Sequence, residues 1–237
     1  MLDKPRISFF CPAYNDEGNI AKTVSNAVAA LERLTSDFDV TIVEDGSPDR
    51  TAEVADELAA GDPRIKVIHH ERNRGYGGAL RTGFGEARAF DLVAYTDGDG
   101  QYDFGELEEL LKAADGTNVV AGYRLNRADS VTRRIQTMVY GTILKMLFGL
   151  SVRDVNCSMK LYPRAALDRI SIESDSAFID AEILIKLSRL GVRIDQVGVH
   201  HYPRLTGKAS GARWQVVRAT ISDMMRMKRT LRSESRR

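Results

Sequence analysis

Short apolar runs and segments with helical spacing alternate along the first half of this chain. Strand-like runs fall at residues 6–11, 40–44, 65–69, 91–95 and 118–122. The segments between them place apolar residues three and four positions apart, which predicts helices. Repeated strand–helix units with short connections predict an α/β fold, with a mostly parallel sheet flanked by helices on both faces. Ligands of such folds bind beyond the carboxyl ends of the strands.

One predicted strand end carries two carboxylates. Asp97 and Asp99, in Thr96-Asp97-Gly98-Asp99-Gly100-Gln101, directly follow the run 91–95. Residues two apart in extended backbone point to the same side, and two close carboxylates repel each other unless a cation or proton lies between them. Mg²⁺ commonly binds one or two carboxylates and completes its shell with water and substrate phosphates. The motif therefore predicts a divalent cation bound with a nucleotide diphosphate; a turn rich in Gly and Asp is the alternative.

Other predicted strands also end in polar residues. Asn15, Asp45 and Arg124 each follow one of them. Asp45 suits either a turn, with Ser47 or Asp49 capping the following helix, or a carboxylate that accepts hydrogen bonds from a nucleobase or ribose. Glycines from Gly75 onward open a predicted helix, where backbone N–H groups suit a diphosphate.

Composition limits the class of protein. A chain of 237 residues, 43% hydrophobic, fits one large α/β domain. Two cysteines predict no disulfide framework, and the absence of a long apolar run predicts a soluble or peripheral protein. The net charge is only +1, yet residues 204–237 hold ten Lys or Arg against two acidic residues. That basic tail carries no recognisable nucleic-acid module, so we expect no nucleic-acid partner.

Four stretches carry motifs in succession along the chain: Pro12-Ala13-Tyr14-Asn15 with Glu17, residues 43–49, residues 73–83 and residues 97–101. Together they resemble the successive signatures of family 2 glycosyltransferases of the GT-A fold. The chain most resembles the branch of dolichyl-phosphate mannose synthases and polyprenyl-phosphate glycosyltransferases, and the resemblance extends to residue 210. The sequence departs from this branch at two places. Gly98 and Gly100 stand where the branch often has Ala and Leu, and Asn156-Cys157-Ser158-Met159-Lys160 stands where it often has Gly-Ser-Phe-Arg.

The resemblance implies a GT-A domain over residues 1–210, followed by a basic amphipathic helix or tail at 211–237. The implied reaction is an inverting, metal-dependent transfer of a hexose, with mannose favoured, to a polyprenyl or dolichyl phosphate. GDP-mannose or a UDP-hexose would be the donor, and Mg²⁺ or Mn²⁺ the cofactor. The resemblance assigns the nucleotide to Pro12, Tyr14, Glu17 and Asp45, and we add Asn15, Gly75 and Asp97 from their positions at predicted strand ends and at a helix start. It assigns the metal to Asp97, Asp99 and Gln101.

A phosphate acceptor also agrees with the basic residues of the chain. A phosphate monoester is already anionic at neutral pH, so it needs cations rather than a general base. We expect Arg204 and Lys208 to act in catalysis. Candidates for the acceptor phosphate are Arg124, Arg133, Arg134 and Lys160; a solvated surface charge is the alternative for each.

Two other functions stay open at this point. A same-fold enzyme could glycosylate a hydroxyl group of a glycan or small molecule, and Asp180 would then be the candidate base. Asp180 and Glu182 also suit the N-terminus of the predicted helix that follows. Alternatively, a non-catalytic protein could bind a nucleotide sugar or a membrane without turnover.

Two segments suit a membrane surface. Residues 135–150 and 212–231 each combine an apolar face with basic neighbours, which is typical of helices that lie in the plane of a bilayer. For the first segment, packing on the core of the domain is the alternative. We expect a cytoplasmic protein that is peripheral on the cytoplasmic face of the membrane.

Overall fold

Seven strands form a single sheet in the computed structural model, which describes residues 4–87, 90–125, 131–203 and 214–234. The strands are β1 Ile7–Ala13, β2 Phe38–Glu44, β3 Ile65–His69, β4 Leu92–Tyr95, β5 Val119–Leu125, β6 Lys160–Pro163 and β7 Ile194–His200. Their order across the sheet is β3-β2-β1-β4-β6-β5-β7. Every neighbouring pair is parallel except those that include β6, which runs antiparallel to β4 and β5. The predicted α/β class is therefore confirmed.

Helices follow most of the strands. They are α1 Ile20–Leu34, α2 Thr51–Gly61, α3 Gly75–Glu86, α4 Leu107–Ala113, α5 Val131–Phe148, α6 Arg164–Leu167, α7 Ile179–Arg189 and α8 Trp214–Glu234. A short 3-10 turn at Phe104–Glu106 leads into α4. The expectation of a C-terminal amphipathic helix corresponds to α8.

The sheet has a hydrophobic cluster on each face. Alternating residues of β1 divide between the two, with Phe9 facing one cluster and Phe10 the other. The first cluster includes buried residues of α1 and α4. The second includes buried residues of α3, α5, α7 and α8. Helices thus cover both faces, as the alternation of strands and helices predicted.

The register of the strands sets which residues meet at the carboxyl edge. Ala13 of β1 pairs with Glu44 of β2, and Phe10 of β1 pairs with Tyr95 of β4. Tyr95 also pairs with Lys160, the first residue of β6. The strand β6 was not predicted, because its four residues begin with a lysine and end with a proline and so form no apolar run. It brings residues 158–160 next to the carboxylate motif after β4.

The packing of α3 against β1 requires a glycine at position 83. A Cβ atom on Gly83 would lie 2.1 Å from the Phe10 ring, whereas a Cβ on Gly85 would meet nothing within 4 Å. Phe10 is fully buried and stacks on Tyr95 with ring centroids 5.3 Å apart. The ring therefore has little room to move.

We predict that Gly83→Ala lowers the free energy of unfolding by about 1–3 kcal/mol, because the added methyl group overpacks the core. The matched variant Gly85→Ala, in the same helix, should be neutral or stabilising by up to about 1 kcal/mol, because alanine favours helix. Urea unfolding of both variants measures the difference. Equal stabilities would contradict the close packing of α3 on Phe10.

Candidate active site

Three strands end side by side at the edge of the sheet where the predicted residues lie. The Asp45 N–H donates to the Ala13 carbonyl at 3.0 Å, which joins the ends of β2 and β1. A Cβ atom on Gly98 would lie 2.8 Å from the Pro12 carbonyl oxygen, so the loop after β4 packs directly on the end of β1. The edge therefore brings the predicted nucleotide residues next to the predicted metal residues.

The carboxylates of Asp97 and Asp99 lie close enough to repel each other. Burial, the Asp99 charge and the Asp180 charge raise the pKa of Asp97 to about 7. The Asp97 Oδ1 atom is buried and accepts no hydrogen bond from the described residues. Buried oxygens without a hydrogen-bond donor are uncommon in folded proteins, and a bound cation would explain this one. The carboxylate chemistry and this unsatisfied oxygen fit Mg²⁺ or Mn²⁺.

The loop that carries these carboxylates is fixed by the surrounding structure. The Ser158 hydroxyl accepts a hydrogen bond from the Asp97 N–H at 3.2 Å, and the Thr23 hydroxyl donates to the Gly98 carbonyl at 3.2 Å. Ser158 is fully buried. Among the described residues, no three Asp, Glu, His or Cys side chains converge as a metal-binding group. The acidic side chains that this loop offers to a cation are the two aspartates that the sequence predicted, Asp97 and Asp99.

Gln101 connects this loop to the segment that follows β7. Its Nε2 atom donates to the Tyr202 carbonyl at 2.9 Å, and the Tyr202 N–H donates to the Gln101 carbonyl at 2.9 Å. The Gln101 N–H donates to Asp99 Oδ1 at 3.1 Å. The side-chain amide oxygen is the Gln101 atom that can bind a cation. Arg204 and Lys208 follow Tyr202 in the chain but lie outside the described residues.

Asp45 is engaged by the protein itself. Its carboxylate contacts the His70 Nδ1 atom at 2.7 Å and accepts from the N–H groups of Arg74 at 2.8 Å and Gly75 at 2.9 Å. Asp45 is 3% exposed and therefore links the end of β2 to the start of α3. The expectation for Gly75 needs correction, because its N–H is used by Asp45 and is not available to a diphosphate in this structure.

The remaining predicted nucleotide residues lie at the start of α1 and beside it. Tyr14 is 44% exposed, and Asn15 is exposed with a positive φ of 56°. Glu17 accepts a hydrogen bond from the N–H of Arg50, the residue before α2, at 3.0 Å. Tyr14, Asn15 and Glu17 are thus all exposed at this edge.

Lys160 and Asp180 form a buried ion pair behind Asp97. The Lys160 Nζ atom lies 2.6 Å from Asp180 Oδ1 and 3.1 Å from the Tyr95 hydroxyl, and Lys160 is 0% exposed. The Tyr95 hydroxyl donates to Asp180 Oδ1, and the Tyr76 hydroxyl donates to Asp180 Oδ2 at 3.3 Å. Burial raises the pKa of Tyr95 well above its usual value, and the Asp180 charge adds to this effect, so its hydroxyl stays a neutral donor.

This ion pair corrects two expectations. A buried Lys160 is not open to an acceptor phosphate in this structure. Asp180 does lie in the first turn of α7, as the helix alternative predicted, but it is 3% exposed and has three donors. A carboxylate held in this way is poorly placed to remove a proton from a substrate.

The predicted arginines lie in two different environments. The Arg124 guanidinium contacts both Asp154 oxygens, at 2.7 Å and 2.9 Å, and is largely buried. Arg124 is therefore already held by a carboxylate, which corrects the expectation that it contacts the acceptor phosphate directly. Arg133 and Arg134 lie on α5 and are exposed.

Sequence reasoning missed Ser158, Tyr95 and Tyr76 as supporting residues. Each acts through a contact more than 60 positions away in the chain. Tyr95 ends the apolar run of β4 and is indistinguishable there from a core aromatic. No local pattern in the sequence could have identified these contacts.

We predict that Lys160→Met lowers the free energy of unfolding by about 3–5 kcal/mol, because it leaves Asp180 as a buried carboxylate without its cation. The double variant Lys160→Met/Asp180→Asn should recover much of this loss, since it removes both charges. Denaturant unfolding of the parent, single and double variants measures the coupling. A single variant as stable as the parent would contradict the buried pair.

Comparison with known proteins identifies the family. The family model described as Glycosyl transferase family 2 matches residues 8–171. The chain therefore belongs to glycosyltransferase family 2, as the motifs at the carboxyl edge indicated.

Several curated relatives are similar over most of this chain. Glycosyltransferase AglD of Haloferax volcanii is 33% identical over 84% of this chain, which spans 33% of that protein. An undecaprenyl-phosphate 4-deoxy-4-formamido-L-arabinose transferase of Pectobacterium carotovorum is 33% identical over 68% of this chain and 50% of that protein. An undecaprenyl-phosphate mannosyltransferase of Micrococcus luteus is 28% identical over 91% of this chain and 99% of that protein. The chain thus spans half or less of the first two relatives and nearly all of the third.

Solved structures confirm the GT-A fold. Glucosyl-3-phosphoglycerate synthase of Mycobacterium tuberculosis superposes with a TM-score of 0.71 over 93% of this chain and 80% of that one, at 19% identity. The same enzyme with Mn²⁺, UDP-glucose and phosphoglyceric acid gives a TM-score of 0.69 over 92% of this chain and 79% of that one, at 20% identity. At this identity the likeness shows the fold alone.

In the described parts of this chain, no helix has the length and apolar character needed to cross a bilayer.

Proposed function

We propose that this chain transfers a hexose, with inversion at the anomeric carbon, from a nucleotide diphosphate sugar to a polyprenyl or dolichyl phosphate. The observation that carries the proposal is the unsatisfied Asp97 Oδ1 atom beside Asp99 at the carboxyl edge of the sheet. Relatives named as transferases to undecaprenyl phosphate support the acceptor class. The relative named as a mannosyltransferase favours mannose, with GDP-mannose as donor and a UDP-hexose as the alternative.

The donor would bind across the ends of β1, β2 and β4. Asp97 and Asp99, with the amide oxygen of Gln101, would hold Mg²⁺ or Mn²⁺. When bound there, the cation supplies positive charge that stabilises the departing nucleoside diphosphate. The exposed Tyr14 and Asn15 side chains would contact the nucleoside, at the surface formed with Pro12 and Glu17.

The buried ion pair supports a phosphate acceptor over a hydroxyl acceptor. A hydroxyl group needs a general base, and Asp180, the candidate for that role, is held by Lys160 and two tyrosines. A phosphate oxygen is already negative and can attack without a base. Arg204 and Lys208 would position that phosphate, with the exposed Arg133 and Arg134 near the entry of a lipid.

The location of the protein follows from the acceptor. A polyprenyl chain is insoluble in water, so its phosphate is presented at a bilayer surface. We propose that the protein works as a peripheral protein on the cytoplasmic face of the membrane.

We predict that labelled hexose from GDP-mannose or a UDP-hexose passes to polyprenyl phosphate and enters the organic phase in the presence of Mg²⁺ or Mn²⁺. Chelation should abolish the transfer. Asp99→Asn should reduce it by about a hundredfold or more, because a metal ligand is lost. The matched variant Asp103→Asn removes an exposed carboxylate of the same loop and should keep activity.

Each other outcome contradicts a defined part of the proposal. Full activity of Asp99→Asn, or of the parent in chelator, would contradict the metal role. Transfer to hydroxyl compounds but not to polyprenyl phosphate would contradict the acceptor. Binding of the nucleotide sugar without transfer to any acceptor would contradict the enzymatic function.

A further inference from the structure

Most of the large apolar side chains exposed in the described residues lie on just two helices. On α5 they are Ile135, Met138, Val139, Ile143 and Met146, with exposures from 37% to 80%. On α8 they are Trp214, Val217, Ile221 and Met225, with exposures from 38% to 74%. Elsewhere in the described chain they are Tyr14, Leu190 and Tyr202. Such a concentration marks an interaction surface rather than scattered surface residues.

The helix α5 is apolar on two opposite faces. Its inner face packs on the protein through Leu144, which is 0% exposed, and through Phe148, whose ring lies 6.1 Å from that of Phe178. A helix with one buried face normally presents polar residues on the other. The outer face instead carries Met138, 65% exposed, and Met146, 80% exposed. The packing alternative therefore applies to the inner face, while the outer face stays exposed.

The helix α8 is fixed to the protein along its inner face. Met224 and Met227 are buried, and the Asp223 carboxylate accepts from the Ser176 hydroxyl at 2.8 Å. The exposed Val217, Ile221 and Met225 recur every four residues and so form one row along the helix. The row is a fixed feature of the fold, because the helix cannot rotate to bury it without breaking the inner contacts.

Both helices lie on the same side of the sheet. Leu144 of α5 and Met224 and Met227 of α8 belong to the same hydrophobic cluster. The exposed residues of both helices therefore lie on the side of each helix that is turned away from this cluster. We call the exposed apolar residues of α5 and α8 the two-helix surface.

Positive charge accompanies the two-helix surface. The helix α5 contains three basic and no acidic residues, and the basic ones are Arg133, Arg134 and Lys145. The helix α8 contains Arg218, Arg226, Lys228, Arg229 and Arg232. Its acidic residues are Asp223, which is buried, and Glu234 at the end. Apolar rows beside basic residues complement a bilayer with anionic headgroups.

We propose that the two-helix surface docks this chain on a lipid bilayer with anionic headgroups. The apolar rows enter the boundary between headgroups and acyl chains, and the arginines and lysines contact the headgroups. This inference deepens the proposed function, on which it rests for the lipid acceptor. It assigns α5 and α8 jointly to membrane contact, with the inner faces reserved for the core.

Vesicle co-sedimentation tests the docking surface. The parent protein should bind anionic phosphatidylglycerol-containing vesicles more tightly than phosphatidylcholine vesicles, and salt should weaken this binding. Met138→Gln/Met146→Gln and the separate variant Ile221→Gln should each bind more weakly, the double variant by about tenfold. The matched control Leu190→Gln, which changes a side chain 41% exposed outside both helices, should bind like the parent. Thermal unfolding confirms that each variant is folded.

The same proteins assayed for transfer separate this inference from the proposed function. The double variant should lose transfer to polyprenyl phosphate embedded in vesicles but keep transfer to a short, water-soluble prenyl phosphate. Parent protein that transfers to the short acceptor but binds no vesicles would overturn the docking surface alone. Parent protein that binds vesicles but transfers to neither acceptor would overturn the proposed function alone.

Two further results would overturn the docking surface. One is a double variant that binds anionic vesicles as tightly as the parent. The other is a parent dimer, detected by sedimentation velocity, that the double variant dissociates without loss of vesicle binding. In that case the apolar rows would serve contact with a second copy of the chain.

Discussion

The repulsion between two carboxylates at the end of β4 is the constraint on which the rest of the site depends. Asp97 and Asp99 lie close together on a loop whose backbone is hydrogen-bonded to Ser158 and Thr23. An oxygen of Asp97 is left without a hydrogen-bond donor in the described structure. Repelling carboxylates and an unsatisfied buried oxygen both lower the stability of the protein. A cation bound between the carboxylates would remove both costs.

Residues of the mixed parallel and antiparallel sheet surround the Asp97 and Asp99 carboxylates. The antiparallel strand β6 places Lys160 beside Tyr95, where it neutralises Asp180 instead of facing a substrate. Lys160 and Asp180 therefore balance each other's charge behind Asp97, and Asp180, the predicted base, is engaged within the described structure. This arrangement of charges agrees with a reaction whose nucleophile is negatively charged before it binds. The two-helix surface would then serve to bring that nucleophile from a bilayer.

The sequence predicted those features that depend on neighbouring residues. The strands β1 to β5 follow from short apolar runs, and the position of Asp97 after β4 follows from one of them. Features that depend on distant pairing were not predictable. Nothing near Asp45 shows that the His70 ring and the N–H groups of α3 will occupy it. In the same way, Lys160 and Arg124 suggested phosphate ligands until the structure placed Asp180 and Asp154 against them.

Calorimetric titration of a nucleoside diphosphate into the protein, with and without Mn²⁺, tests the central claim most directly. The account predicts that the diphosphate binds tightly only when Mn²⁺ is present, and that Asp97→Asn removes this dependence together with the tight binding. Equal affinity in the presence of a chelator, or unchanged Mn²⁺-dependent binding by Asp97→Asn, would contradict the claim that this carboxylate pair holds the cation.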